Sequence, residues 1–161
     1  MNKPKIYLET TLFNFYFDKD RDAHLDTVQL FKEIAEGKYE AYTSGEVIRE
    51  LENAPVPKKD KMLALIGEYG IIPLPVNDDV NSLANIYVHE GIIPTKYRAD
   101  GVHIAVAAVN GLDIIASMNF KHIVKIQTII KVNAINVLKG FRQILIASPM
   151  EIIPYENTQY N

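Results

Sequence analysis

Four oxygen-bearing side chains stand where a strand should end or a helix should begin. Glu9 follows the apolar run Ile6-Tyr7-Leu8, and Glu50 lies inside Ser44-Gly-Glu-Val-Ile-Arg-Glu-Leu51. Asp100 opens Ala99-Asp-Gly-Val-His-Ile-Ala105, and Asn119 follows Ile114-Ile-Ala-Ser117. Such positions, far apart in sequence, can converge at the carboxyl edge of a parallel sheet, where open α/β folds place their ligands. Carboxylates gathered there repel one another unless a hard cation neutralises them. The pattern predicts a metal site, and with it phosphodiester chemistry.

Each of the four also has a purely structural explanation. Glu9 can cap the helix or turn that follows, and Glu50 can be a solvated helix residue. Asp100 lies in the first turn of its helix, where the dipole stabilises a carboxylate by about 0.3–1 kcal/mol. Asn119 can simply close a turn. Context separates Asp100 from the rest. The helix behind it, Val102-His-Ile-Ala-Val-Ala-Ala-Val109, is apolar on nearly every face and should be buried. An acid at the mouth of a buried helix loses hydration, which is costly unless a cation or a donor compensates. His103, one turn further on the same face, either orients that carboxylate, contacts a phosphate, or is a satisfied core residue. His24, His89 and His122 show no metal-ligand spacing with one another, so no histidine–zinc site is expected.

The elements that must position these residues alternate in type. Lys5 to Leu8 reads as a first strand, with polar loop chemistry in Glu9-Thr-Thr11. Ala23 to Glu36 reads as a helix, with Leu25, Val28, Phe31 and Ile34 or Ala35 near one face and Gly37 as its stop. Glu40 to Thr43 is a second strand. Ser44 caps a helix running to about Glu52, broken by Pro55 and Pro57. Lys58 to Tyr69 is helical, and Ile71 to Pro75 is a strand whose prolines suit an edge. Asn77 offers an N-cap, with Asp78 and Asp79 in the first turn of a helix that stops at Gly91. Ala99 to Asn110 is the apolar helix, Ile114 to Ala116 a strand, Lys121 to Lys139 a helix, and Ile144 to Ala147 a last strand. Short strands alternating with helices argue a parallel α/β sandwich, expected as one domain over residues 1–161.

Composition narrows the function classes. Cysteine is absent, which excludes a disulfide framework, a thiol nucleophile and cysteine-ligated zinc. No apolar run approaches the roughly 20 residues of a bilayer span. The opening Met-Asn-Lys-Pro-Lys leads straight into a strand-like run without a signal peptide's features, so a cytoplasmic, non-membrane protein is expected. Net charge is −3, yet Lys96 to Arg142 holds seven basic and two acidic residues, so this stretch is +5 and the remainder −8. A basic third beside an acid cluster is how a phosphate backbone is steered towards a metal, although a solvated helix face has the same composition. The eight glycines form neither a dinucleotide fingerprint nor a P-loop, which disfavours a nucleotide-binding phosphotransferase.

Taken together the motifs resemble the PIN domain, the metal-dependent nuclease fold of VapC-type toxins in type II toxin–antitoxin systems. Ile-Tyr-Leu-Glu9-Thr-Thr is similar to that family's opening strand, acid and two small hydroxyl residues. Thr-Ser-Gly-Glu-Val-Ile-Arg-Glu50-Leu is similar to its Ser-led helix with the second acid, and Arg-Ala-Asp100-Gly-Val-His-Ile-Ala-Val-Ala to its third-acid helix. Gly-Leu-Asp-Ile-Ile-Ala-Ser-Met-Asn119-Phe resembles the strand that delivers the fourth polar residue. The resemblance implies a three-layer α/β/α sandwich with a central, mainly parallel sheet. It implies a catalytic site of Glu9, Glu50, Asp100 and Asn119, with Glu9, Glu50 and Asp100 holding Mg²⁺ or Mn²⁺. The implied activity is hydrolysis of RNA phosphodiesters by metal-activated water, in a homodimer restrained by a cognate antitoxin. Glu50 would alternatively be the base that positions the attacking water. Two departures stand out, because the family's first acid and its fourth residue are usually Asp, where this chain has Glu9 and Asn119. They favour an alternative: a weak or inactive PIN-like module that binds RNA or a protein partner.

Overall fold

The computed structural model describes residues 2–154. Its strands are β1 (Lys5–Leu8), β2 (Glu40–Ser44), β3 (Ile72–Leu74), β4 (Ile114–Ala116) and β5 (Leu145–Ala147). They form one sheet in the order β3-β2-β1-β4-β5, with every neighbouring pair parallel. The helices are α1 (Thr10–Phe15), α2 (His24–Ala35), α3 (Gly45–Glu52), α4 (Lys58–Glu68), α5 (Asp78–His89), α6 (Arg98–Val109), α7 (Ile126–Leu138) and α8 (Pro149–Ile152). From β1 the chain steps outward through β2 to β3, then returns to lay β4 and β5 on the other side of β1. The direction of winding therefore reverses between β1 and β4. That reversal opens a crevice at the carboxyl ends of these two strands.

Right-handed crossovers put the helices of the outward and return halves on opposite faces, which completes an α/β/α sandwich. On one face α1 packs against α2, α3 and α4, with α8 against α2. On the other, α5 packs along α6, and the Tyr87 hydroxyl of α5 donates to Asn136 Oδ1 of α7. A central parallel strand covered on both faces must be apolar throughout. Ile6, Tyr7 and Leu8 of β1 are accordingly fully buried. Helix α6 is buried continuously from Gly101 to Ala108, as its all-round apolarity requires. Only its first turn, carrying Asp100, faces the open edge.

Helix ends follow the local signals. Ser44 and Asn77 accept the N–H of Val47 and Val80 and so start α3 and α5. Gly37 (φ 82°) and Gly111 (φ 64°) terminate α2 and α6 in the left-handed conformation that glycine adopts without strain. Three places differ from the sequence reading. Residues after Glu9 form the short helix α1 rather than a loop, with Glu9 as its N-cap. The helix expected from Lys121 starts only at Ile126. Asn119 Oδ1 takes the His122 N–H and bends the chain into a turn, and Lys125 is extended (φ −139°). Finally, Ser148-Pro-Met-Glu151 closes a capping box and starts α8. Among the described residues no helix is long and apolar enough to cross a membrane.

Candidate active site

Glu9 leaves the end of β1 at the reversal point. Its backbone N–H donates to Ala116 O of β4 at 3.1 Å, continuing the ladder by one bond. Its side chain turns into the protein. Glu9 Oε1 accepts the hydroxyls of Thr11 and Ser117, both at 2.6 Å, and Oε2 accepts the Thr11 N–H at a longer 3.3 Å. Those hydroxyls are themselves anchored, Thr11 Oγ1 by Met118 N–H at 2.8 Å and Ser117 Oγ by Asn119 N–H at 2.9 Å. With only 3% of the residue exposed, burial pushes the Glu9 carboxyl above the usual glutamate range. The charge of His103 and the Ser117 and Thr11 bonds oppose that shift without cancelling it. Among the described residues no lysine or arginine pairs with Glu9.

Glu50 reaches the same place from α3. His103 Nε2–H donates to Glu50 Oε1 at 2.7 Å, and the other ring nitrogen, Nδ1, lies 2.6 Å from the Tyr7 hydroxyl. Tyr7 in turn lies 2.8 Å from Ser44 Oγ. A chain of buried hydrogen bonds thus runs Ser44–Tyr7–His103–Glu50, joining the ends of β1 and β2 to α6 and α3. With a neutral ring, Tyr7 donates to Nδ1; with a charged ring, Nδ1–H donates to Tyr7. Either way Nε2–H points at the carboxylate. Burial raises the Glu50 carboxyl, but the His103 bond and charge outweigh it and hold the group below its ordinary value. Burial likewise pulls His103 down, and Glu50 and Glu9 together leave it raised. Arg49, next to Glu50, turns away to a bidentate pair with Glu46 at 2.7 and 3.0 Å.

Asp100 and Asn119 make a second cluster. His122 Nδ1–H donates to Asp100 Oδ2 at 2.9 Å, and the His122 ring stacks on Tyr97 with centroids 4.1 Å apart. Asn119 Oδ1 accepts the His122 N–H at 3.0 Å, so this side chain holds the turn that carries the imidazole. Asp100 precedes His103 by one turn of α6, which places both clusters on one face of that helix.

Ligand atoms of Glu9, Glu50 and His103 all lie within 4.8 Å of one another. His103 cannot serve as a ligand without breaking its bond to Glu50, so it acts as a support for a carboxylate rather than as a donor to a metal. What remains is an oxygen donor set: two carboxylates, one of them deeply buried without a cationic partner. Beside them lies the buried Thr10, whose hydroxyl is directed at Glu50 and helps to hold that carboxyl down. Such a set fits a hard, oxygen-preferring divalent cation.

Of the four positions read from sequence, Glu9 and Glu50 are brought together, Asp100 stands one turn along α6 in its own pair, and Asn119 caps a turn. His103, expected from its spacing to orient Asp100, to contact a phosphate or to be a satisfied core residue, is fully buried and bonds Glu50. Sequence reasoning missed Tyr7, Thr10, Ser117 and the role of His122. The signal available for Ser117 was a small polar residue at a strand end, directly before Asn119; Tyr7 looked like ordinary core.

No protein-family model matches this sequence, and no curated protein matches it. Solved structures do. VapBC from Salmonella typhimurium bound to DNA is similar over 91% of this chain and 98% of that one, with 12% identity and a TM-score of 0.54. VapBC2 from Rickettsia felis, bound to a DNA fragment from its promoter, covers 89% and 98% at 12% identity and a TM-score of 0.52. VapC20 of Mycobacterium tuberculosis, described as a Sarcin-Ricin loop cleaving toxin, covers 86% and 98% at 13% identity and a TM-score of 0.52. The chain has the PIN-like fold of these toxins.

Proposed function

We propose that this protein is a ribonuclease, the toxin of a toxin–antitoxin pair, and that it hydrolyses RNA phosphodiesters with a divalent cation, Mg²⁺ or Mn²⁺, held by Glu9, Glu50 and Asp100. The observation that carries the reading is the approach of the Glu9 and Glu50 carboxylates, with ligand atoms within 4.8 Å, at the crevice where the sheet reverses. The fold likeness supports it, since one similar structure is described as a Sarcin-Ricin loop cleaving toxin and two are VapBC complexes on DNA.

When bound, the ion supplies Lewis acidity towards water and offsets the charge that develops on the phosphate. The chain's own residues do the rest. Thr11 and Ser117 pin Glu9, and His103 pins Glu50, so neither carboxylate swings when a phosphate enters. Hydrolysis joins a water oxygen to phosphorus and breaks one P–O ester bond, and the departing sugar oxygen takes up a proton. Glu50, held down by His103, stays ionised and is suited to binding charge.

An antitoxin and a second copy of the chain are the partners this reading implies, in the cytoplasm. Ile126, Ile130 and Val137 form an exposed apolar stripe on α7 of the kind an assembly covers. The test is cleavage of RNA by purified protein with Mn²⁺, stopped by EDTA and abolished by Asp100→Ala. Cleavage that persists in the variant belongs to a contaminating nuclease and ends the assignment.

The occupied Asp100–His122 pair and the capping role of Asn119 favour a second reading, a non-catalytic PIN-like module that binds RNA or a protein. On that reading, calorimetry with millimolar Mg²⁺ or Mn²⁺ registers no binding.

A further inference from the structure

A cleft of about 340 Å³ opens beside His122. Its polar lining comes from Lys121, His122, Lys125, Gln127, Thr128 and Lys131. Lys121, Lys125 and Lys131 are exposed, and among the described residues none pairs with a carboxylate, unlike Lys38 and Lys58. The floor is the first turn of α7, which has no side-chain cap and no acidic residue. Its N–H groups and dipole therefore present uncompensated positive charge. A second observation points the same way. Thr128 is only 5% exposed, yet it lines the cleft and its hydroxyl has no hydrogen-bond partner among the described residues.

We propose that this cleft seats the phosphodiester backbone of a single RNA strand where it leaves the acidic site. The proposal rests on the ribonuclease reading for its substrate, and the cleft extends that site through one connection: Asp100 to His122 at 2.9 Å, then the lysines. The spread of charge selects a polymer over a free phosphate. Lys121, Lys125 and Lys131 stand on a turn, at the start of α7 and further along it, and together carry more positive charge than a single phosphate neutralises. Flexible ammonium groups along a groove track a backbone without reading bases. Tyr97 borders the path, stacked on His122 and flanked by the ammonium groups of Lys121 and Lys96 at 5.5 and 5.7 Å from its ring centre.

The experiment is fluorescence anisotropy of a labelled twelve-nucleotide single-stranded RNA in EDTA, so that binding is read without cleavage. Wild type binds with a steep salt dependence. The combined K121Q, K125Q and K131Q variant binds at least tenfold more weakly in 50 mM KCl. Its plot of log K against log salt is shallower by about 2, for three phosphates at roughly 0.7 each. Thr128→Val, close in volume, weakens binding two- to fivefold. A control carrying K19Q, K32Q and K61Q, exposed lysines elsewhere, changes affinity less than twofold. Equal loss in the control, or an unchanged slope in the cleft variant, overturns the proposal. So does labelled poly-L-glutamate of matched length binding as tightly as RNA, which makes the cleft a seat for an acidic protein. Binding through these lysines without any cleavage under Mn²⁺ removes the ribonuclease reading and leaves the seat standing.

Discussion

His103 Nε2 stands 2.7 Å from Glu50 Oε1, and its other nitrogen is held by the hydroxyl of Tyr7. One imidazole thereby ties the central strand β1 to an acid on α3, through the buried helix α6. Because Nε2 donates in either protonation state, the ring aims one oxygen of Glu50 and leaves the other for a ligand.

Replacing His103 with Gln should lower divalent-cation affinity about 10–100-fold, the usual cost of losing a group that orients a metal-binding carboxylate. Titration calorimetry with Mn²⁺ measures it. Tyr7→Phe keeps the ring packing but strands Nδ1 and the Ser44 hydroxyl, at a cost of about 1–3 kcal/mol in folding stability. Unchanged Mn²⁺ affinity in His103→Gln would falsify the supporting role.

Deprotonation of Glu9 and His103 should make the cation-free protein less stable as pH rises. Glu9 has a folded pKa above its unfolded value near ~4.3, so its stabilising contribution is complete below that pH and is lost as pH rises through the folded pKa. His103, also raised, repeats the pattern from about 6.5 upwards. Glu50, lowered, contributes above about 4.3 and loses that contribution as pH falls through its folded value. Glu9→Gln removes one buried charge and should raise the cation-free melting temperature at pH 7, by about 0.5–2 kcal/mol of stability. The same variant should no longer be stabilised by Mn²⁺, whereas wild type gains about 2.7 kcal/mol at a hundredfold excess over Kd. Thermal melts with and without Mn²⁺ read both effects, and a wild type indifferent to Mn²⁺ counts against the cation site.

Asn119 is a cap in this structure, and aspartate can accept the same His122 N–H. Asn119→Asp should therefore fold normally, with a melting temperature within about 2 °C of wild type. Its extra charge beside Asp100 should tighten divalent-cation binding severalfold. Asn119→Ala loses the turn's acceptor and should cost about 0.5–2 kcal/mol. Weaker cation binding in the aspartate variant would mean that this position lies outside the field of the site.

The Tyr87–Asn136 bond holds α5 to α7 in a buried setting where Asn136 Nδ2 already lacks a partner. Tyr87→Phe leaves Asn136 Oδ1 unpaired as well and should destabilise by about 1–3 kcal/mol. For a domain of this size that is a fall of several degrees, at about 2–4 °C per kcal/mol. RNA binding in EDTA should be unaffected at any temperature where the variant is folded, because neither residue lines the basic cleft.

Much of the frame was legible because its causes are local. The apolar run before Glu9, the all-apolar helix after Asp100, the caps at Ser44 and Asn77 and the glycine stops are each read from a few neighbouring residues. Alternating elements with right-handed connections then require a parallel sheet, and a parallel sheet has one carboxyl edge. That Glu9 ends a strand there, and that Asp100 opens a helix facing it, needs no coordinates.

Side-chain partnerships were decided elsewhere. Which acid His103 meets depends on the rotation of α6 against α3, a difference of a few ångströms that three-residue spacing leaves open. Ser117 reaches Glu9 only because β4 lies beside β1, and Lys125, Thr128 and Lys131 border one cleft only because a turn at Asn119 delays the start of α7. Periodicity along a chain reports which face of an element is buried; contacts between elements far apart in sequence arise from packing, which only the assembled fold settles.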